Sequence, residues 1–127
     1  MYKALERREK EREKAIQLAS EYVSRLKGDI GVLAAILYGS FARGDFNYGS
    51  DIDVLIISDS LPQNALKRID LLYRYVQEGI EPKGYTQEEF LRIYHTNNPL
   101  AIDALENGEV ICDNGFWISL KKTIEGD

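Results

Sequence analysis

Residues 30–57 decide the fold. They read Ile30-Gly31-Val32-Leu33-Ala34-Ala35-Ile36-Leu37-Tyr38, then Gly39-Ser40-Phe41-Ala42-Arg43-Gly44-Asp45-Phe46-Asn47-Tyr48-Gly49-Ser50, then Asp51-Ile52-Asp53-Val54-Leu55-Ile56-Ile57. The first run is almost wholly apolar, the pattern of a strand covered on both faces. Gly39-Ser40 ends it. The glycines and polar residues that follow read as a turn with room for one short helical segment. Residues 51–57 form a second strand, an apolar run behind two aspartates.

Downstream, residues 63–78 have helical spacing, with Leu66, Ile69, Leu72, Tyr73 and Val76 on one predicted inner face and Gly79 as the stop. Residues 80–85 form a short extended segment, which Pro82 confines to a sheet edge or a strand end. Thr86, with Glu89 three residues on, opens a helix through Phe90, Leu91 and Tyr94 as a capping box. Asn97-Asn98-Pro99 breaks that helix. A short helix over residues 100–105, a strand at Val110-Ile111-Cys112 and a helix over residues 116–124 with Trp117, Leu120 and Ile124 inward complete the chain.

Upstream, residues 6–14 are nine consecutive charges of mixed sign. They read as a solvated extension of a helix rather than an arm for a partner. From Ala15 an amphipathic stripe follows (Leu18, Ala19, Tyr22, Val23, Leu26), and Gly28 closes it. The resulting order, α-β-(turn)-β-α-β-α-α-β-α, is α/β (α+β) with one small mixed β-sheet flanked by helices. At 127 residues the chain is expected to be a single domain, residues 1–127. Within it, residues 1–28 form the N-terminal helix, 30–85 the motif-bearing core, and 86–127 a helical C-terminal part with one short strand.

Composition narrows the class. With 44% apolar and 29% charged residues the chain is not a disordered one. It lacks an apolar run long enough to cross a membrane, and its charged N-terminus is not a secretory signal. A single cysteine, Cys112, cannot form an intrachain disulfide and reads as a small buried hydrophobe. A cytoplasmic protein without membrane contact is the expectation. The net charge of −5 divides unevenly: residues 30–127 hold eight basic and fifteen acidic side chains. Such a body disfavours broad contact with a nucleic-acid backbone.

The chemistry concentrates in the quoted stretch. Asp51 and Asp53 are two apart at the start of a strand, so both carboxylates face one way. Left alone they repel, and one takes up a proton. A divalent cation removes that cost, and hard oxygen donors of this kind suit Mg²⁺ with phosphate oxygens as further ligands. Gly39 lets backbone approach a ligand closely. The N–H groups around Ser40, together with its hydroxyl, can cradle phosphate oxygens. Phosphate donors at one strand end and metal ligands at the next are the equipment of phosphoryl or nucleotidyl transfer. Asp-x-Asp or Gly-Ser alone carries little information; the ordered combination carries much more.

That combination, Gly39-Ser40-Phe41-Ala42-Arg43-Gly44 followed by Ser50-Asp51-Ile52-Asp53-Val54-Leu55, resembles the signature of the minimal nucleotidyltransferases (MNT proteins) of the DNA polymerase beta superfamily. The motif covers about 20 residues, and the element order extends a looser likeness over residues 30–85. The resemblance implies a nucleoside triphosphate substrate, with ATP favoured, and Mg²⁺ as cofactor. It also implies transfer of a nucleotidyl group to a hydroxyl. Family members often pair with a helical HEPN protein as toxin and antitoxin, and a tyrosine of that partner is among the acceptors the likeness implies.

The resemblance also implies a third carboxylate on a later strand. Glu81 is the candidate, a departure from the usual Asp, and Asp70 is the rival on the outward face of its helix. Asp51, Asp53 and Glu81 are thus the expected catalytic and metal-binding residues, and Gly39, Ser40 and Arg43 the nucleotide-binding ones. Arg43 equally suits holding the turn by pairing with an acid. Lys83 could share a face with Glu81, although plain exposure is the simpler reading. Asp45 reads as a turn residue, His95 as helix surface or helix end, and Tyr38, Tyr48 and Tyr85 as packing residues able to stack on a base. A binding module that masks a HEPN-like partner without catalysis is the alternative function. Exposed apolar surface in so small a domain leaves a homo-oligomer open.

Overall fold

The computed structural model describes residues 2–77 and 79–126. Residues 1, 78 and 127, assigned from sequence to the first helix, the end of the 63–78 helix and the C-terminal part, lie outside the described residues. Ten elements follow in chain order: α1 (Tyr2–Leu26), β1 (Ala34–Tyr38), α2 (Ser40–Arg43), β2 (Ile52–Ile57), α3 (Ala65–Tyr73), β3 (Ile80–Tyr85), α4 (Gln87–His95), α5 (Pro99–Asn107), β4 (Glu109–Asp113) and α6 (Phe116–Glu125). The strands form one mixed sheet in the order β3-β2-β1-β4. β2 runs antiparallel to β1 and parallel to β3, and β4 is antiparallel to β1. β3 is an edge strand, consistent with Pro82.

Side chains alternate across the central strands, so each face of the sheet has its own core. Ala35, Leu37, Val54 and Ile56 pack with Ala15, Ala19, Tyr22, Val23 and Leu26 of α1 and with Leu71 and Leu72 of α3. Ala34, Ile36, Tyr38, Leu55 and Ile57 pack with Phe90, Ala101, Ala104 and Trp117 of α4, α5 and α6. On this second face the Phe90 and Trp117 rings meet at 5.4 Å between centroids. The capping box is present: the Thr86 side chain accepts from the Glu89 N–H, and Glu89 accepts from the Thr86 N–H.

Three expectations are corrected. The first strand is shorter than residues 30–38. β2 ends at Ile57, and the Gly31 carbonyl accepts the Ser58 hydroxyl instead of a ladder N–H. The helix expected over residues 63–78 ends at Tyr73, after which the chain turns with Val76 N–H on Tyr73 O at 3.2 Å. Its inner face also differs. Leu71 and Leu72 are buried, whereas Leu66 is 78% and Ile69 54% exposed. Gly84 of β3 supplies the reason: a Cβ there would stand 2.9 Å from Leu72 Cδ1 and 3.0 Å from Leu61 Cδ1, so the missing side chain makes the notch into which Leu72 fits. The Leu72 carbonyl then accepts the buried Tyr22 hydroxyl at 2.6 Å, which ties α3 to α1.

Leu72→Ala is therefore expected to cost about 2–4 kcal/mol in urea unfolding. Leu66→Ala, by contrast, should stay within about 0.5 kcal/mol of wild type. Equal losses would contradict this placement of α3.

Candidate functional site

The strand register sets the site. Tyr38 of β1 pairs with Asp53 of β2, and Asp53 pairs with Glu81 of β3. These three residues make one row across the sheet, on the face that carries α4, α5 and α6. Rows deeper in the sheet on this face hold apolar residues such as Ile36 and Leu55, both fully buried. Asp51 precedes β2 and is exposed; Asp53 is half-buried. Sequence reasoning placed Asp51 and Asp53 side by side, and the parallel pairing of β3 brings Glu81 to them. Asp70 lies elsewhere. It is on α3, against the opposite face of the sheet, with its side chain 82% exposed and 3.8 Å from Arg74.

The carboxylates crowd one another. Burial, then Glu81 and Asp51, push the Asp53 carboxyl up from 3.8 to about 6, against the opposing pull of Arg43. Glu81 is raised chiefly by the touching Asp51 carboxyl, with Lys83 pulling the other way. Lys83 Nζ lies 3.8 Å from Glu81 Oε1 with its side chain half exposed, so it shares the Glu81 face. The Tyr38 hydroxyl is pushed up by burial and by Asp53, and it remains a protonated donor.

The turn beside these acids starts at Gly39, whose φ of 78° lies in the left-handed region. A Cβ at this position would collide with the Asp53 Oδ2 atom. Gly39 is therefore required twice, by its backbone and by its contact with the acid. α2 begins at Ser40, which realises the short helical segment, and its first N–H groups have no partner within the helix. These N–H groups and Ser40 are the phosphate donors expected from the sequence.

Arg43 takes the holding role. Its Nη1 donates to Asp103 Oδ2 at 2.7 Å and its Nε to Asp45 Oδ2 at 3.2 Å. Asp45 is accordingly a turn residue. Asp103, on α5, was not singled out from sequence. Its Oδ2 also accepts the Gly39 N–H at 3.0 Å. The charged N-terminal run holds the turn from the other side. Arg8 donates to the carbonyls of Gly44 at 2.6 Å and Phe46 at 3.1 Å, and its guanidinium lies 4.2 Å from the Phe46 ring centroid. Arg12 donates to Phe41 O at 3.2 Å. Part of the run expected to be plain solvated surface is thus anchored to the motif loop. The remaining candidates stand apart: His95 is an exposed helix end, Tyr48 is 87% exposed at the loop tip, and Tyr85 packs on the α4–α6 side.

Among the described residues, no three acidic, histidine or cysteine side chains stand in ready metal-ligand geometry. The donor set nevertheless fits a divalent cation in chemistry. It offers hard carboxylate oxygens, with Asp53 raised by burial and by Glu81 and Asp51, and Glu81 raised chiefly by Asp51, a crowding of charge that a cation would relieve.

Comparison with known proteins places the chain. The nucleotidyltransferase domain model matches residues 16–111, and the chain belongs to that family. It is 29% identical over 111 residues to a Methanocaldococcus jannaschii protein named "putative protein adenylyltransferase", across 79% of this chain and 74% of that one. The crystal structure of a "putative nucleotidyltransferase" from Sulfolobus solfataricus shares the fold, with a TM-score of 0.66 and 18% identity over 84% of this chain and 87% of that one. A toxin–antitoxin structure with AMP-PNP contains a chain of the same fold, with a TM-score of 0.52 and 17% identity over 84% of this chain and 90% of that one. The resemblance carried by residues 39–55 is thereby confirmed at family level. Among the described residues, no helix is long and apolar enough to cross a membrane.

A pH dependence follows. The fold favours protonated Asp53, so the stability this confers is present below about pH 4 and is lost as pH rises through about 6. In chelator, thermal melts of the wild type should show this decline, and Asp53→Asn should remove it and melt higher at about pH 7.5. Parallel pH profiles for the two proteins would contradict the crowding of the acids.

Proposed function

We propose that the protein transfers AMP from Mg²⁺-bound ATP to a hydroxyl of a partner protein, a tyrosine on a HEPN-like helical protein being the acceptor. The observation that carries the reading is the row of Asp53 and Glu81, with Asp51 beside it, facing a glycine turn that has free N–H groups. The likeness to a protein named for adenylyl transfer to protein, and the toxin–antitoxin neighbour with AMP-PNP, support it.

In this reading Gly39 and Ser40 hold the triphosphate by backbone N–H groups and the Ser40 hydroxyl. Asp51, Asp53 and Glu81 are the residues that would hold Mg²⁺, which when bound neutralises phosphate charge and orients the α-phosphate. The acceptor oxygen attacks the α-phosphorus, the bond to the β-phosphate oxygen breaks, and pyrophosphate leaves. Glu81, in the same row as Asp53, takes the acceptor proton. Arg43, held by Asp45 and Asp103, acts by keeping the turn in shape.

A second reading, a module that masks a partner, is favoured by one observation. Leu66, Ile69 and Tyr73 line an exposed apolar stripe on α3, remote from the acids. Both readings place the protein against a helical partner; only the first needs the carboxylates.

The test is intact mass spectrometry after incubation with Mg²⁺, ATP and a HEPN-like helical protein. The partner is expected to gain AMP units with wild type and none with the Asp51→Asn/Asp53→Asn variant. A stable complex in both samples without any mass gain would establish masking instead.

A further inference from the structure

We propose that Asp103 is a positioning residue for nucleotide binding: it cross-links both ends of the Gly39–Arg43 turn and so sets the direction of the turn's free N–H groups. The inference rests on the nucleotide-turn reading above and adds a residue far outside the motif.

One oxygen makes the cross-link. Asp103 Oδ2 accepts the Gly39 N–H at 3.0 Å and Arg43 Nη1 at 2.7 Å. The other oxygen, Oδ1, accepts Asn107 Nδ2 at 3.0 Å from the next turn of α5, which fixes the carboxylate rotamer. Its side chain is only 18% exposed, so the ion pair is partly shielded from water. α5 itself is fixed against the sheet through Ala101 and Ala104, both essentially fully buried. The carboxylate therefore hangs from a rigid element onto the start of the turn, where Gly39 has no side chain to anchor it.

The consequence for the turn is specific. Gly39 has a left-handed φ, and its Cα faces the Asp53 carboxylate. The Gly39 N–H contact sets the Tyr38–Gly39 peptide plane at one end of the turn and the Arg43 ion pair holds the other end, and together they limit the directions of the intervening N–H groups. Without Asp103 the Gly39 N–H loses its acceptor, and the glycine is held on its carbonyl side by the Arg43 N–H at 3.0 Å, with no side chain of its own to restrict it. Arg43 would also lose the closer of its two acidic partners, Asp45 remaining at 3.2 Å. Hydrogen-bond partners behind metal ligands typically govern about 10–100-fold in affinity or activity, and Asp103 behind the turn is expected to act on that scale.

The experiment measures the Kd for Mg²⁺-ATP by calorimetry, together with Tm and amide hydrogen exchange at Gly39. The proteins are wild type, Asp53→Asn, Asp103→Ala and Asp103→Asn. Asp103→Ala should raise the Kd by about 10-fold or more and speed exchange at Gly39. Asp103→Asn keeps an oxygen that can accept the Gly39 N–H but gives up the ion pair, so its Kd should fall between the two. If the alanine variant does not fold, this intermediate shift against wild type still carries the test. Wild-type Kd in both Asp103 variants, with only Tm lowered, would overturn the proposal and leave Asp103 as a helix anchor. Failure of the underlying reading looks different: wild type would not bind Mg²⁺-ATP, or Asp53→Asn would bind it as tightly as wild type.

Discussion

The site depends on one contact, the Asp53 carboxylate lying against the bare Cα of Gly39. The antiparallel pairing of β1 with β2 sets Tyr38 opposite Asp53, so the chain must leave β1 and turn directly beside that acid. Only glycine combines the left-handed φ of 78° with the absence of a Cβ in the space the carboxylate fills. Turn and acid consequently share one position in space, which is what a metal-bound phosphate chain requires of its two sets of ligands. The same closeness desolvates Asp53, and with Glu81 and Asp51 nearby its carboxyl rises to about 6. The crowding raises the cost of keeping these carboxylates ionised together, and a divalent cation beside them would lower it.

Rigid elements hold this arrangement from three directions. The two central strands are buried on both faces, so their ends are fixed. α5 reaches the turn through Asp103 on one side, and α1 reaches it through Arg8 and Arg12 on the other. The motif loop itself contributes a small apolar anchor, Phe41 stacked on Phe46 at 4.4 Å. A turn that begins on a glycine has no side chain there to fix its shape, so neighbours hold it. Here the neighbours are charged groups from residues dozens of positions away.

Much of this was legible in sequence because it is local. The apolar runs on either side of Gly39 to Ser50 marked two buried strands, and the Asp-x-Asp spacing placed two carboxylates on one face. The segment 80–85 and its Pro82 marked an edge strand, and the family resemblance, rather than any local spacing, pointed to Glu81 on it. The rest depended on contacts without a local signature. α3 carries two apolar stripes, Leu66-Ile69-Tyr73 and Leu71-Leu72, and in a nine-residue helix periodicity does not choose between them. The choice is made by the notch at Gly84 and by the Tyr22 hydroxyl on Leu72 O. Asp103 has no local signature, since its partners Gly39 and Arg43 lie about 60 residues away. Arg8 and Arg12 were hidden in a run of mixed charges in which no one side chain stands out.

The most direct test of the account is a crystal structure with Mg²⁺ and an ATP analogue whose α,β-bridging oxygen is replaced by a methylene. The account predicts the triphosphate on the N–H groups that follow Gly39, with the cation held by Asp51, Asp53 and Glu81 against the α-phosphate. Nucleotide bound elsewhere, or an ordered triphosphate on the turn with Glu81 directed away from the cation, would contradict it.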